Sequence, residues 1–181
     1  MSRRRLEAGL TVWLTGLPSS GKTTLAVALQ KRLLSDGYRV EVLDGDDLRA
    51  RLGRELGFSR QDRNENVRRI GFVAHLLSRN GIIAVCSVIS PYREARDELR
   101  ALHGARFFEV HVAAPVEVCG ERDVKGLYAR QEAGEISKLT GVDDVYEAPL
   151  DPEVVVPTHL QTVEQSVAQV WEALTAEASP A

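Results

Sequence analysis

Two rhythms of apolar and polar positions alternate along this chain, and together they outline a repeating βα unit. Leu10-Thr11-Val12-Trp13-Leu14-Thr15 is apolar and β-branched enough for a buried strand. Behind it, Thr24 to Leu34 places Leu25, Ala28, Leu29 and Leu33 at helical spacing. Asp36-Gly37 makes a turn, Arg39–Leu43 a second short strand and Leu48–Leu52 a short helix. Arg60 to Asn80 predicts a long helix with Val67, Ile70, Val73, Ala74 and Leu77 on one face, stopped by Asn80-Gly81. Ile82–Ile89 is a near-continuous apolar run, the pattern of a strand covered on both faces. Pro91 opens a helix carrying Ala95, Leu99 and Leu102, Phe107–Val112 is a fourth strand, and Pro115 starts another helix. Val154–Val156 predicts a short last strand and Val163 to Leu174 a closing helix.

This alternation predicts a single α/β domain over residues 1–181, with a five-stranded parallel sheet between two helical layers. Asp123 to Asp151 breaks the rhythm: it is polar, glycine-punctuated and poor in aliphatic residues. It reads as a lid over a site, or else as a plain surface loop. Residues 1–8 and 176–181 are expected to fray, including the basic start Arg3-Arg4-Arg5.

Composition narrows the class. A net charge of −3 and a pI near 5.9 argue against a general nucleic-acid binder, which needs an excess of Lys and Arg. No apolar run reaches the length of a membrane span, and no signal-peptide h-region opens the chain, so a cytoplasmic protein is expected. Cys86 and Cys119 are isolated and set in apolar surroundings, which fits core thiols in a reducing compartment.

Candidate chemistry begins between the first strand and the first helix. Gly16-Leu17-Pro18-Ser19-Ser20-Gly21-Lys22-Thr23 matches G-x-x-x-x-G-K-[ST] without a mismatch, in the strand–loop–helix context that makes the pattern a P-loop. Gly16 to Thr24 would wrap backbone N–H groups around the phosphates of ATP at a helix N-terminus. Lys22 would reach the β/γ-phosphates, and the Thr23 hydroxyl would ligate Mg²⁺. The fold class is then a three-layer P-loop NTPase of nucleotide-kinase type with a lid insertion.

In such a sheet ligands gather beyond the carboxyl ends of the strands. Asp44 and Asp46 follow the second strand and Ser90-Pro91 the third, which itself holds no acid. The two aspartates are therefore the carboxylates placed to divide the work: one at Mg²⁺, one at an acceptor hydroxyl. The plainer alternative makes Asp44-Gly45 a turn and Asp46 or Asp47 an N-cap, the cap being favoured for Asp47 and catalysis for Asp46. Arg49, Arg63, Arg68, Arg69 and Arg93 are many arginines for an acidic chain and suit oxyanions, with solvated helix surface as the alternative for Arg68 or Arg69.

Asp44-Gly45-Asp46, Gly57-Phe58-Ser59, Asp62-Arg63-x-Glu65-Asn66-x-Arg68-Arg69-Ile70-Gly71 and Ile89-Ser90-Pro91-Tyr92-Arg93 resemble successive motifs of adenylylsulfate kinases. Glu121 to Tyr128 and Thr140-Gly141-Val142-Asp143-Asp144-x-Tyr146-Glu147 continue the series, so the resemblance runs from about residue 9 to 174. It implies transfer of the ATP γ-phosphate to the 3′-hydroxyl of adenosine 5′-phosphosulfate. It further implies Asp46 at that hydroxyl with Asp44 near Mg²⁺, and Arg49, Arg63 and Asn66 on the phosphosulfate and ribose. Phe58 would stack near the substrate adenine, Ile89 and Ser90 would touch the substrate, and Arg122 and Lys125 would approach ATP from the lid. The family also assigns the serine at Ser90 a phosphorylated intermediate, whereas direct in-line transfer needs no covalent step. A homodimer is implied as well. The chain departs from the family pattern at Glu132, where arginine is common, and at Gly134-Glu135-Ile136-Ser137-Lys138-Leu139-Thr140-Gly141. There the substrate-binding positions are taken by Ser137, a displaced Lys138, and Leu139 in place of a stacking phenylalanine.

Two other functions share parts of this pattern. Another P-loop small-molecule or nucleotide kinase would not need the Asp62–Gly71 or Arg122–Tyr128 motifs. A nucleotide-dependent regulatory binder would be expected to carry a guanine motif such as N-K-x-D, which is absent.

Overall fold

The computed structural model describes residues 6–176; Arg3-Arg4-Arg5 and the rest of residues 1–5 and 177–181 lie outside it. Five strands, β1 (Leu10–Thr15), β2 (Val40–Asp44), β3 (Ile83–Ser87), β4 (Phe107–Val112) and β5 (Val154–Val156), form one parallel sheet in the order β2-β3-β1-β4-β5. β1 lies at its centre and every residue in it is buried. Its alternation sends Val12 and Leu14 to one face and Trp13 to the other.

The Val12 face is covered by α1 (Lys22–Ser35), through Leu25, Ala26, Leu29 and Leu33, and by the final helix, through Val170 and Leu174. The Trp13 face is covered by α3 (Arg60–Ser78) and α4 (Arg93–His103) through Val67, Ile70, Ala74, Ala95 and Leu99. Gly71 sets how closely those two helices pack, since a Cβ there would lie 2.1 Å from Leu99 Cδ2. Further helices are α2 (Gly45–Leu52), α5 (Val116–Arg122), α6 (Leu127–Glu132) and α7 (Val163–Thr175), with a 3₁₀ turn at Gly104–Arg106.

Several expectations shift at the boundaries. Leu6 is 1 % exposed and joins the core, so packing begins inside the stretch expected to fray. β3 ends at Ser87, because the chain turns at Val88–Ser90 to open the site. The helix expected from Leu48 starts at Gly45, and its N-cap is Asp44, whose carboxylate accepts from the N–H groups of Asp46 and Asp47. The cap therefore belongs neither to Asp46 nor to Asp47. α3 begins in a reciprocal capping box between Ser59 and Asp62. Cys86 and Cys119 are buried free thiols. No helix among the described residues is long and apolar enough to cross a membrane.

Candidate active site

β1 runs straight into the phosphate loop. Ser19 has φ 60° and Gly21 φ 100°, left-handed conformations that fold the loop back on itself. Gly21 caps α1 without a side-chain acceptor, so the first N–H groups of this 14-residue helix are left for a ligand. Lys22 is 8 % exposed and curls over the loop, its Nζ donating to Gly16 O at 2.9 Å and Leu17 O at 2.6 Å. Burial lowers its pKa to about 8, against the opposing effect of Asp44 and Asp46.

Thr23 joins this loop to β2. Its hydroxyl donates to Asp44 Oδ2 at 3.1 Å and lies 3.0 Å from Ser87 Oγ at the end of β3. Asp44 thus caps α2 with one oxygen and meets the P-loop threonine with the other. Asp46, two residues on, is exposed and pairs with Lys125 across the cavity.

Beyond Asp46 the wall is cationic and aromatic. Phe58 lies between two guanidinium groups, with Arg49 4.8 Å and Arg63 5.6 Å from its ring centroid. Arg49 donates to Leu56 O and Gly57 O, while Arg63 donates to Thr140 Oγ1 at 2.9 Å and pairs with Asp144 at 3.4 Å. Asn66, Ile89 and Ser90 complete this end. Ser90 has φ 42°, unusual for a residue with a side chain, and is 1 % exposed. Its hydroxyl accepts from Trp13 Nε1 and donates to Thr15 Oγ1, each at 3.0 Å.

One cavity of about 580 Å³ connects these groups. Of the residues expected from sequence, its lining includes Pro18, Ser19, Gly21 to Thr24, Asp44, Asp46, Arg49, Phe58, Arg63, Asn66, Ile89, Ser90, Arg122 and Lys125. Gly16, Leu17 and Ser20 form the loop behind it. Arg122 holds the loop from outside, donating to Thr158 O at 2.9 Å and Ser20 O at 3.4 Å.

The insertion over residues 123–151 divides in two. Residues 123–138 carry α6 and reach the site through Lys125, whereas residues 139–148 form a docked strap. Thr140 bridges Asp144, Tyr92 donates to Asp144 at 3.1 Å, and Tyr146 shares a 3.0 Å hydrogen bond with Thr15 at the root of the P-loop. Arg96 Nη2 donates to Glu147 O and its Nη1 to Ser90 O, both at 2.5 Å, tying the strap to the β3 turn. Glu109 compensates the buried Arg96 charge with Oε1 2.9 Å from Nε, off the hydrogen-bond axis.

This strap is where the structure parts from the expected site. Leu139 is 6 % exposed, buried in the docked segment, and neither it nor Lys138 lines the cavity. Lys138 instead contributes its backbone carbonyl to Arg63. Sequence reasoning also missed Thr158, Gln161, Val163 and Ser166 at the far end of the cavity. They sit where β5 meets α7, in a short segment with no motif; only its position after a strand end marks it.

The sequence profile of the Adenylylsulphate kinase family matches residues 8–157. An adenylyl-sulfate kinase of Microcystis aeruginosa is 57 % identical over 169 residues, covering 93 % of each chain. One from Rippkaea orientalis is 55 % identical over 168 residues, covering 93 % of this chain and 92 % of its own. The solved structure of the Mycobacterium tuberculosis APS kinase in complex with AMPPNP and APS superposes with a TM-score of 0.88 at 40 % identity, covering 93 % of this chain and 99 % of that one. With phosphate loop, acidic strand end and arginine wall in one cavity, and with this similarity over nearly its whole length, the chain belongs to the adenylylsulfate kinase family.

Proposed function

We infer that this chain transfers the γ-phosphoryl group of ATP to the 3′-hydroxyl of adenosine 5′-phosphosulfate, giving 3′-phosphoadenosine 5′-phosphosulfate in sulfate activation. The observation that carries this reading is the single cavity in which the P-loop meets Asp46 and, beyond it, the Arg49–Phe58–Arg63 wall. The related Mycobacterium tuberculosis enzyme, solved with AMPPNP and APS, supports the choice of substrates.

The P-loop amides and Lys22 cradle the triphosphate. On entry the phosphate oxygens replace the Gly16 and Leu17 carbonyls as partners of Nζ. The acceptor nucleotide takes the opposite end. Its base lies at Phe58, and its phosphosulfate meets Arg49 and Arg63, whose forks suit paired oxyanions. Asp46 then faces the 3′-hydroxyl, orients it and accepts its proton as the phosphoryl group moves in line. Lys125, released from Asp46, turns to the phosphates. Ser90 spends its hydroxyl on Trp13 and Thr15, which supports a role in shaping the turn over a covalent step.

Mg²⁺ fits the donors present. The Thr23 hydroxyl and the Asp44 carboxylate are the hard oxygen pair that would hold Mg²⁺ beside the phosphates, and the described residues offer no cluster of three acidic, histidine or cysteine ligands in their place. When bound, the ion neutralises charge on the β- and γ-phosphates.

The reading includes a cytoplasmic site of action and a homodimer; a related APS kinase from Thiobacillus denitrificans is hexameric, so sedimentation velocity is the check on assembly. ADP release from Mg-ATP tests the reaction. It should require adenosine 5′-phosphosulfate and should not be supported by AMP or a sugar acid. Equal turnover with those acceptors would assign the chain to another small-molecule kinase activity.

A further inference from the structure

The cavity has a second end that the transfer chemistry does not use. Past the P-loop, on the side away from Asp46, it is bounded by Arg122, Thr158, Gln161 and Val163. With the triphosphate over the P-loop and the acceptor nucleotide on the Phe58 side, this end receives the base of the donor nucleotide.

Gln161 reaches this end as part of a short amide relay. β5 is an edge strand of the sheet, so the Val155 carbonyl on its open side has no neighbouring strand to pair with. Gln169 of α7 fills that place, its Nε2 donating to Val155 O at 2.9 Å. A carbonyl can only accept, so the Gln169 amide must present nitrogen to it and turn its oxygen the other way. That oxygen accepts from Gln161 Nε2 at 2.9 Å. Each amide thus fixes the orientation of the next, and the backbone carbonyl fixes the first, which removes the usual ambiguity between amide oxygen and nitrogen. The group left to the cavity is Gln161 Oε1, a pure acceptor with no partner among the described residues.

We propose that Gln161 is a specificity residue for the donor nucleotide, held by Gln169 so that its oxygen accepts from the 6-amino group of adenine and repels the 6-oxo group of guanine or hypoxanthine. The relay makes a wrong base costly, because two acceptors would face each other with neither able to rotate into a donor. A site built to accept one hydrogen bond discriminates more sharply than an apolar slot of the same shape.

The inference rests on the donor being bound as proposed above, and its test is independent of transfer. Equilibrium binding of Mg-ATP and Mg-ITP is measured on the full chain without acceptor; inosine replaces the 6-amino group by a carbonyl oxygen, places a hydrogen on N1, and leaves ribose and phosphates unchanged. The wild type should favour ATP. Gln161→Met, which keeps length and removes both amide atoms, should shrink the ATP-to-ITP ratio by about five- to tenfold, the scale of one net hydrogen bond. Gln169→Leu leaves Gln161 in place but frees its amide to turn, and should shrink the ratio as far or invert it. The second substitution lies on α7, at a distance from the ligand, so a change there reports on the relay itself. A wild type indifferent to the exchange, or a ratio unchanged in both variants, overturns the proposal. A chain that selects ATP through Gln161 yet leaves adenosine 5′-phosphosulfate unphosphorylated overturns the function and keeps the selectivity; an active chain with no such selectivity does the reverse.

Discussion

Lys22 shows at the scale of one residue how the fold sets up the chemistry. Its ammonium is buried against two carbonyls of its own loop, and burial brings its pKa down to about 8. ATP needs the charged form, so nucleotide affinity should fall as pH rises through 8, with a proton taken up on binding. Isothermal titration at pH 7 and pH 9 in buffers of different ionisation enthalpy checks this. Lys22→Arg should bind more weakly at pH 7 but lose the dependence, because a guanidinium stays charged. Asp46 and its neighbours divide along similar lines. Asp46→Asn should cut turnover by about 10²- to 10⁴-fold, the usual cost of losing a general base. Asp47→Asn should have little effect, since Asp47 only makes an exposed ion pair with Arg51. Asp44→Ala should lower both turnover and stability, the latter by about 1 kcal/mol for a lost N-cap. Thermal melts separate the two contributions.

At the scale of elements, the insertion works as two devices. The strap of residues 139–148 hangs from Tyr92, Arg63, Arg96 and Thr15, so it carries the acceptor wall as a fixed part. Asp144→Asn weakens the ion pair to Arg63 and should raise the KM for adenosine 5′-phosphosulfate several-fold while leaving that for ATP unchanged; steady-state kinetics with each substrate varied decides it. Much of this level was legible in sequence. The β-α order, the phosphate loop, and the strand-end aspartates followed from periodicity and spacing, which local sequence encodes directly. Spacing alone puts the cap of α2 two or three residues too late, at Asp46 or Asp47, because Asp44, Asp46 and Asp47 all suit an N-cap and only the backbone decides among them. Leu139 was expected in the substrate site on resemblance alone. Whether it faces the cavity depends on how the strap docks through Tyr146, Asp144 and Glu147, contacts separated by tens of residues that no local pattern carries. Gln161 was missed for the same reason: its meaning comes from the edge position of β5 and from Gln169 on the next helix.

The whole molecule places a polar seam under its Trp13 face, and that seam ties stability to pH. His103 donates Nδ1–H to Leu99 O at 2.8 Å, while its buried Nε2 has no partner and its ring meets His75 edge-on with centroids 5.1 Å apart. A proton on Nε2 would be a buried charge without an acceptor, and burial accordingly holds the His103 pKa below 6.5. His111 is lowered as well, first by burial and then by Arg96. Both folded-state values lie below the unfolded ones, so the unfolded chain takes up the protons first. Their contribution to stability is complete above about pH 6.5 and is lost as pH falls through that value. Urea melts from pH 7.5 to 5.5 should show this loss, and His103→Gln should flatten it. A slope unchanged by that substitution would assign the loss to other groups.

The central claim is that the cavity brings the γ-phosphate of ATP and a 3′-hydroxyl together at Asp46. Phosphorus-31 NMR of the product formed from Mg-ATP and adenosine 5′-phosphosulfate, for the wild type and Asp46→Asn side by side, tests it most directly. A new 3′-phosphomonoester resonance should grow in step with ADP in the wild type and slow by at least about a hundredfold in the variant. A phosphate delivered to any other position, or a folded Asp46→Asn protein working at the wild-type rate, would contradict the account.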